Sequence, residues 1–167
     1  TATKQAVVVE NKGGASGMIA AQQVARSAAD GYTVLITTNT THAANQHLYK
    51  KLPYDAVKDF APVAGLGKGG QVLVVRADAP WRTARELIAG LKAQPAQANY
   101  GSGGIGTSAH LAGATLASLA GLQVTHIPLK GSVEIAASLI RGDTQYAFPV
   151  AGTGIPQVQG GKLRALA

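Results

Sequence analysis

The residues best suited to chemistry are the glycines at positions 101–106, where the sequence is Gly-Ser-Gly-Gly-Ile-Gly. Gly101, Gly103 and Gly106 match the dinucleotide-binding pattern G-x-G-x-x-G. A nicotinamide-dependent or acyl-transfer enzyme is therefore one hypothesis. The dinucleotide pattern also requires an acidic residue about 20 positions later to bind the ribose hydroxyls, whereas residues 101–133 contain neither Asp nor Glu. The missing acid disfavours a dinucleotide, and we predict no cofactor.

A small anion suits these glycines better. Glycine lets the backbone approach a ligand closely, and the N-terminus of the following helix offers free N–H groups and a partial positive charge. Residues 11–29 and 31–54 also lack acidic side chains. We therefore predict a carboxylate bound by loops that follow strands. The candidate residues are Thr38, Asn39, Ser102, Gly103, Gly106, Thr107 and Ser108, with Gly14 and Ser16 at a supporting helix N-terminus. Helix capping is the alternative role of the hydroxyls among them.

Other functions lack the residues that they need. The chain has no cysteine and no His-Glu-x-x-His pair, which disfavours a metal site. It has no Gly-x-Ser-x-Gly elbow and no acid pair near the glycine turns, so we predict a protein that is not an enzyme. The net charge is +7, but the basic residues are scattered and only 5% of residues are aromatic, which disfavours nucleic acid. No apolar run approaches the roughly 18 residues of a membrane span, so we predict no membrane insertion.

Predicted strands and helices alternate along the sequence. Apolar and β-branched runs predict strands at residues 6–10, 32–37, 61–66, 71–75, 98–100, 123–127, 144–148 and 163–167. Helical spacing and cap residues predict helices at residues 18–29, 80–93, 107–120, 133–141 and 155–159. This alternation predicts an α/β fold with a mostly parallel sheet, in which ligands bind at the carboxyl ends of the strands. A glycine-rich segment at residues 67–70 indicates a lobe boundary.

Several short motifs also occur in the order that one family shows. They are Val-Val-Val-Glu-Asn-Lys-Gly-Gly-Ala-Ser-Gly at 7–17, Asp-Gly-Tyr-Thr at 30–33, Thr-His at 41–42 with Asn45 and Leu-Tyr at 48–49, Leu-Pro-Tyr-Asp at 52–55 with Lys-Asp-Phe at 58–60, the segment 100–113, Lys-Gly at 130–131 and Gly-Lys-Leu-Arg-Ala-Leu-Ala at 161–167. With these motifs the chain resembles the solute-binding receptors of tripartite tricarboxylate transporters, the Bug or TctC-like periplasmic proteins. The resemblance covers nearly the whole chain.

The resemblance implies a fold and a division into domains. The expected fold is the type II periplasmic-binding fold, with two lobes of mostly parallel sheet and flanking helices. Residues 1–69 are expected to belong to lobe 1 and residues 70–167 to lobe 2, with hinge strands at about 71–76 and 163–167. Members of the family begin earlier and continue further than this sequence, so the first lobe is expected to be incomplete.

The resemblance also implies a function. It indicates a periplasmic protein that closes over a small organic acid and delivers it to a membrane permease; a ligand-sensing regulatory module of the same fold is the alternative. The family pattern adds Lys130 and Pro149 to the candidate site. Many members have an acid where this chain has Pro149, so we expect a di- or tricarboxylate or an aromatic acid as the ligand, and not an amino acid.

Overall fold

The computed structural model describes residues 5–167, so residues 1–4 of the predicted first lobe lie outside it. Its centre is one five-stranded sheet with the strand order β3-β2-β4-β1-β5. Strand β2 is parallel to β3 and β4, whereas β1 is antiparallel to β4 and β5. The strands are β1 Val74–Arg76, β2 Asn99–Ser102, β3 Thr125–Pro128, β4 Tyr146–Ala147 and β5 Leu163–Ala165.

Helices connect and flank these strands. The helix at Ala84–Ala93 starts with a side-chain cap: the Thr83 side chain accepts the N–H of Glu86 at 3.2 Å, and the Glu86 carboxylate accepts the N–H of Arg82 at 2.6 Å. None of the helices in residues 5–167 has the length and apolar character that crossing a membrane requires. The α-helices are α1 Met18–Ala25, α2 Asn45–Leu48, α3 Ala84–Ala93, α4 Ser108–Ala120, α5 Ser132–Arg141 and α6 Ala151–Gln159. A π-helical turn, Thr40–Ala44, precedes α2, and two 3-10 turns lie at Ala15–Gly17 and Pro95–Gln97.

The core lies on both faces of the sheet. Val74 and Val75 are fully buried neighbours on β1, and their side chains enter different apolar clusters because strand side chains alternate between faces. Leu87 and Leu91 of α3 cover one face, and Ile135 and Leu139 of α5 are among the residues that cover the other. A sheet with helices on both faces confirms the predicted α/β class.

The sheet differs from the predicted one in direction. Two of its four strand pairings are antiparallel, both of them involving β1, so the sheet is mixed where the alternation of elements predicted a mostly parallel one. The reason is that β1 does not pair with its successor β2 through a β-α-β crossover. It pairs with the late strands β4 and β5, and the crossover rule does not constrain those pairings.

The strands predicted in the first part of the chain, residues 5–69, are wrong. Residues 6–10, 32–37 and 61–66 form no strand, and the apolar side chains along them are mostly exposed. Backbone N–H and C=O groups of a strand need a neighbouring strand, and no described segment pairs with these three. The exposed side chains are Val7, Val8, Val9, Tyr32, Val34, Ile36, Val63 and Leu66.

Candidate functional site

The glycine turn after β2 is organised by the residue that caps α4. The Thr107 hydroxyl donates to the carbonyl of Gly104 at 2.7 Å and accepts the N–H of His110 at 3.3 Å. Gly104 and Gly106 have φ values of 114° and 81°, which favour glycine over any other residue. The N–H groups at the start of α4, those of Ser108 and its successor, have no intrahelical acceptor. They point out of the N-terminal end of the helix.

A second glycine turn, residues 14–17, comes from the first part of the chain and meets the first. The Ser16 hydroxyl donates to the carbonyl of Ile105 at 2.7 Å. A Cβ on Gly104 would lie 3.2 Å from the Ser16 hydroxyl oxygen, so the two turns touch. Ala15 and Ser16 have φ values of 46° and 53°, which is unusual for residues other than glycine. Strain of this kind clusters at functional sites.

The helical segment 40–48 packs against both turns. A Cβ on Gly17 would lie 2.6 Å from the Thr41 hydroxyl, and a Cβ on Gly106 would lie 2.5 Å from Cδ1 of Leu48. These close approaches require glycine in both turns. The candidates Thr38 and Asn39 lie just before this segment and are exposed, whereas Thr40 and Thr41 are buried.

The turn before α5 borders the first glycine turn from the other side. A Cβ on Gly103 would lie 3.7 Å from Cα of Gly131, which is ordinary contact. The Lys130 side chain is exposed, and its backbone N–H donates to the Glu134 carboxylate at 2.6 Å. Glu134 therefore places a negative charge at the N-terminus of α5, whereas the first turn of α4 contains no acidic residue.

Ser108 and Pro149 meet the segment that leads into β1. The Ser108 hydroxyl accepts from the Gln71 side-chain amide at 3.0 Å, and Gln71 also forms a β-bridge with Val150. Pro149 is fully buried, and its carbonyl accepts the N–H of Val72 at 3.2 Å. The residues before β1 thus tie the start of α4 to the loop after β4.

Ser102 lies beneath the glycine turn. It is fully buried, and its hydroxyl oxygen is 2.6 Å from Nε2 of His126 and accepts the N–H of Gly104 at 3.1 Å. The His110 and His126 rings are 4.6 Å apart, and the Tyr100 ring lies 5.0 Å from that of His126. Ser102 therefore holds the turn from its buried side, and its hydroxyl also contacts the ring cluster of His126, His110 and Tyr100.

The surroundings of both histidines favour their neutral form. Burial lowers the pKa of His110 and that of His126, and the nearby His110 lowers the pKa of His126 further. The N–H of Gly106 donates to Nδ1 of His110 at 3.3 Å. This bond requires an unprotonated Nδ1, because a protonated nitrogen cannot accept. The glycine turn is thus linked to the protonation of a half-buried ring.

Acidification is therefore expected to destabilise the protein. Because the pKa values of His110 and His126 are lowered on folding, the unfolded chain binds more protons as pH falls below the ordinary histidine pKa of about 6.5. The stability contributed by neutral rings is fully present above that pH and is lost as pH falls toward the lower folded-state pKa values. Melting temperatures measured from about pH 8 to about pH 5 check this.

The variants His110→Asn and His126→Asn are expected to make that pH dependence shallower. His47→Asn is the matched control, because His47 is an exposed histidine on α2 outside the ring cluster. A decline in melting temperature that is equally steep in all three variants would show that His110 and His126 do not cause the pH dependence.

The structure brings together most of the predicted residues and adds three that sequence patterns missed. Asn45, Gln71 and His126 form hydrogen bonds to Ser16, Ser108 and Ser102 respectively, across many residues of sequence. Asn45 belongs to the family motif, but the sequence did not indicate it as a site residue. Within the described chain no group of three or more His, Cys, Asp or Glu side chains is placed to hold a metal ion.

Comparison with known proteins identifies the family. The family model TctC, described as tripartite tricarboxylate transporter family receptor, matches residues 2–167. A UPF0065 protein of Bordetella pertussis is 36% identical over 162 residues, covering 97% of this chain and 50% of the relative. Protein BugT of Bordetella pertussis is 32% identical over 164 residues, covering 98% of this chain and 50% of the relative. The chain spans about half the length of these curated relatives.

Solved structures share the fold and confirm its predicted type. A protein of R. palustris solved with adipate superposes with a TM-score of 0.91 at 32% identity, covering 96% of this chain and 54% of that one. MatC from Rhodopseudomonas palustris, solved with malate, gives 0.85 at 28% identity, covering 92% and 52%. The family is described as one of receptors, in agreement with a binding protein and not an enzyme. The chain belongs to the tripartite tricarboxylate transporter receptor family, as its resemblance to the Bug proteins predicted.

Proposed function

We propose that the protein is an extracytoplasmic, periplasmic receptor that captures a small organic carboxylate and delivers it to a membrane permease of the tripartite tricarboxylate type. The observation that carries the proposal is the meeting of two glycine turns at the start of α4. The hydrogen bond from Ser16 to Ile105, 2.7 Å long, joins these turns across 89 residues of sequence. A ligand held there contacts both parts of the chain.

The charges around the turns favour a carboxylate. The N-terminus of α4 offers N–H donors and the positive end of a thirteen-residue helix. No acidic residue occurs in residues 11–29, 31–54 or 101–133, which supply both turns and the segment 40–48. A carboxylate bound there therefore meets hydrogen-bond donors, and none of these three segments carries a side chain of its own sign.

The neighbouring structures support the same class of ligand. One was solved with adipate and another with malate, and both molecules are dicarboxylates. A dicarboxylate can place one carboxylate at α4 and the other against the opposing turn. We propose a di- or tricarboxylate or an aromatic acid for this protein, contacted by candidates that include Gly103, Ser108 and the Gly14–Ser16 turn.

Closure between two lobes is part of the proposal. Residues 1–69 would contribute to one lobe and residues 70–167 to the other. The hinge would lie at residues 71–76 and 163–167, which include the antiparallel pair β1 and β5. Hinges of this kind let two lobes rotate about a few backbone positions while each keeps its own packing. Binding then requires both glycine turns at once.

Titration calorimetry of the full-length protein tests the proposal. The panel contains adipate, malate, a tricarboxylate, benzoate as an aromatic acid, and aspartate and glutamate. At least one of the first four is expected to bind with a dissociation constant below about 1 mM, and the two amino acids are expected to bind more weakly. A protein that binds none of the panel would overturn the proposed function.

A methyl group added at Gly103 tests whether the ligand binds at the first glycine turn. Gly103→Ala is expected to weaken carboxylate affinity about tenfold, roughly 1.4 kcal/mol, because the methyl group blocks close approach to the backbone. The fold tolerates it, since the new Cβ would make only contacts of 3.7 Å or longer and the backbone φ is ordinary.

The matched control for this variant is Gly65→Ala. Gly65 is exposed, has an ordinary φ and has no atom near the position of an added Cβ. Affinity is expected to be unchanged there. If Gly103→Ala binds as tightly as Gly65→Ala, that face of the turn lies outside the site.

A further inference from the structure

The most informative buried polar side chain is that of Asn45, the first residue of α2. It is fully buried. Its amide Nδ2 donates to the carbonyl of Ser16 at 3.1 Å and to the Tyr54 hydroxyl at 3.4 Å. The Tyr54 hydroxyl in turn donates to the carbonyl of Thr41 at 2.7 Å. The amide orientation is therefore fixed, because a flipped amide would place its oxygen against the Ser16 carbonyl.

The other end of the same amide has no partner. Asn45 Oδ1 is the one buried side-chain polar atom in residues 5–167 without a hydrogen bond. A Cβ on Gly106 would lie 3.5 Å from it, so this oxygen faces the first glycine turn. An unsatisfied buried acceptor costs about 1–3 kcal/mol of stability. The protein thus retains this side chain at a cost that an apolar residue of similar size would avoid.

Asn45 stands at the junction of the two turns. Its Nδ2 holds the carbonyl of Ser16, the residue whose hydroxyl reaches Ile105. Its Oδ1 abuts Gly106, two residues before α4 begins. In the described part of the chain, no other side chain both donates to the Ser16 carbonyl and lies against Gly106. The amide therefore sets the distance between the Gly14–Gly17 turn and the N-terminus of α4.

We propose that Asn45 is a positioning residue of the carboxylate site, which trades folding stability for the relative placement of the two glycine turns. The proposal rests on the proposed function for its ligand. It does not require that Asn45 contact the ligand. The proposed role of this amide is to hold the two turns at the spacing at which one bound molecule reaches both.

Substitution by leucine separates positioning from ordinary packing. Asn45→Leu removes the unsatisfied oxygen together with the donor to Ser16. The melting temperature is expected to stay within a few degrees of the parent protein or to rise, while carboxylate affinity falls about 10- to 100-fold. Gln46→Leu is the matched control, because Gln46 is the exposed next residue of the same helix, and its affinity is expected to be unchanged.

Substitution of Asn45 by aspartate adds a second measurement, the pH dependence of affinity, which would not change if Asn45 served only in packing. At neutral pH the carboxylate of Asn45→Asp cannot donate to the Ser16 carbonyl, so affinity is expected to fall. On acidification the carboxyl group is protonated and regains a donor. The affinity of the variant relative to the parent at the same pH is therefore expected to recover as pH falls. Parent-like affinity in both Asn45 variants at every pH would overturn the proposal.

Amide hydrogen exchange tests the proposal without a ligand. In Asn45→Leu, exchange is expected to be faster in residues 14–17 and 104–106 than in Gln46→Leu, because the tie between the turns is lost. Equal exchange in the two variants would overturn the positioning role. If the parent protein binds no carboxylate while exchange does accelerate, the proposed function fails and the positioning role stands.

Discussion

Gly113→Ala is expected to destabilise the protein, although alanine is the better helix former. Helix propensity alone would stabilise α4 by about 1 kcal/mol. The added Cβ, however, would lie well inside contact distance of the Tyr100 ring. That ring is 3% exposed and stacked on Tyr146 at 5.5 Å, so it cannot move aside cheaply. Overpacking of a core costs about 1–3 kcal/mol, and we expect it to exceed the gain in propensity.

Urea and thermal unfolding measure this effect. For a chain of this size, each kcal/mol lost lowers the melting temperature by about 2–4 °C. Ser118→Ala is the matched control, because Ser118 is an exposed residue of the same helix and the exchange improves propensity without a clash. A Gly113→Ala protein as stable as Ser118→Ala would show that helix and sheet can separate here at no cost.

Gly104→Ala is expected to cause a larger loss of carboxylate affinity than Gly103→Ala. The φ of Gly104 is 114°, a conformation that alanine adopts only with strain. The new Cβ would also lie 3.2 Å from the Ser16 hydroxyl oxygen, where the two turns meet. Strained backbone costs about 1–3 kcal/mol, and a loss of that size in binding free energy corresponds to affinity about 5- to 150-fold weaker. Calorimetry with the tightest-binding acid measures it.

Gly121→Ala controls for strain alone. Gly121 ends the same helix α4 with a φ of 62°, and it has open space around an added Cβ. It is expected to lower stability while leaving affinity unchanged, because it lies at the opposite end of α4 from the turns. Equal losses of affinity in the two variants would mean that Gly104 acts through global stability and not through the site.

The second part of the chain, residues 70–167, could be predicted well because its signals are local. Thr83 with Glu86 marks the start of α3, and Gly142 with a φ of 83° marks the end of α5. The apolar runs of residues 5–69 carried the same kind of signal and predicted strands that do not form. Such runs record a preference for burial, whereas a strand also needs a partner for its backbone.

The glycine turns and the hydroxyl residues beside them could be predicted as candidates from the sequence, whereas their distant partners could not. The turn at 101–106 can be recognised in the sequence because its glycines and the following helix cap are adjacent. Asn45 lies 29 residues from Ser16, and Gln71 lies 37 from Ser108, so no periodicity or spacing connects them. Polar residues on a short helix are usually exposed. Only the fold shows that Asn45 is buried between two turns.

The pairing of β1 has a consequence for how the protein is made. Val74 lies opposite Ala147 on one side and Ala165 on the other. Both partners are synthesised long after β1, and contacts between distant residues slow folding because a long loop must first close. A chain still emerging from the ribosome therefore carries β1 with its backbone unpaired until residues 146–165 have followed. The sheet is therefore complete only after β5 has been synthesised.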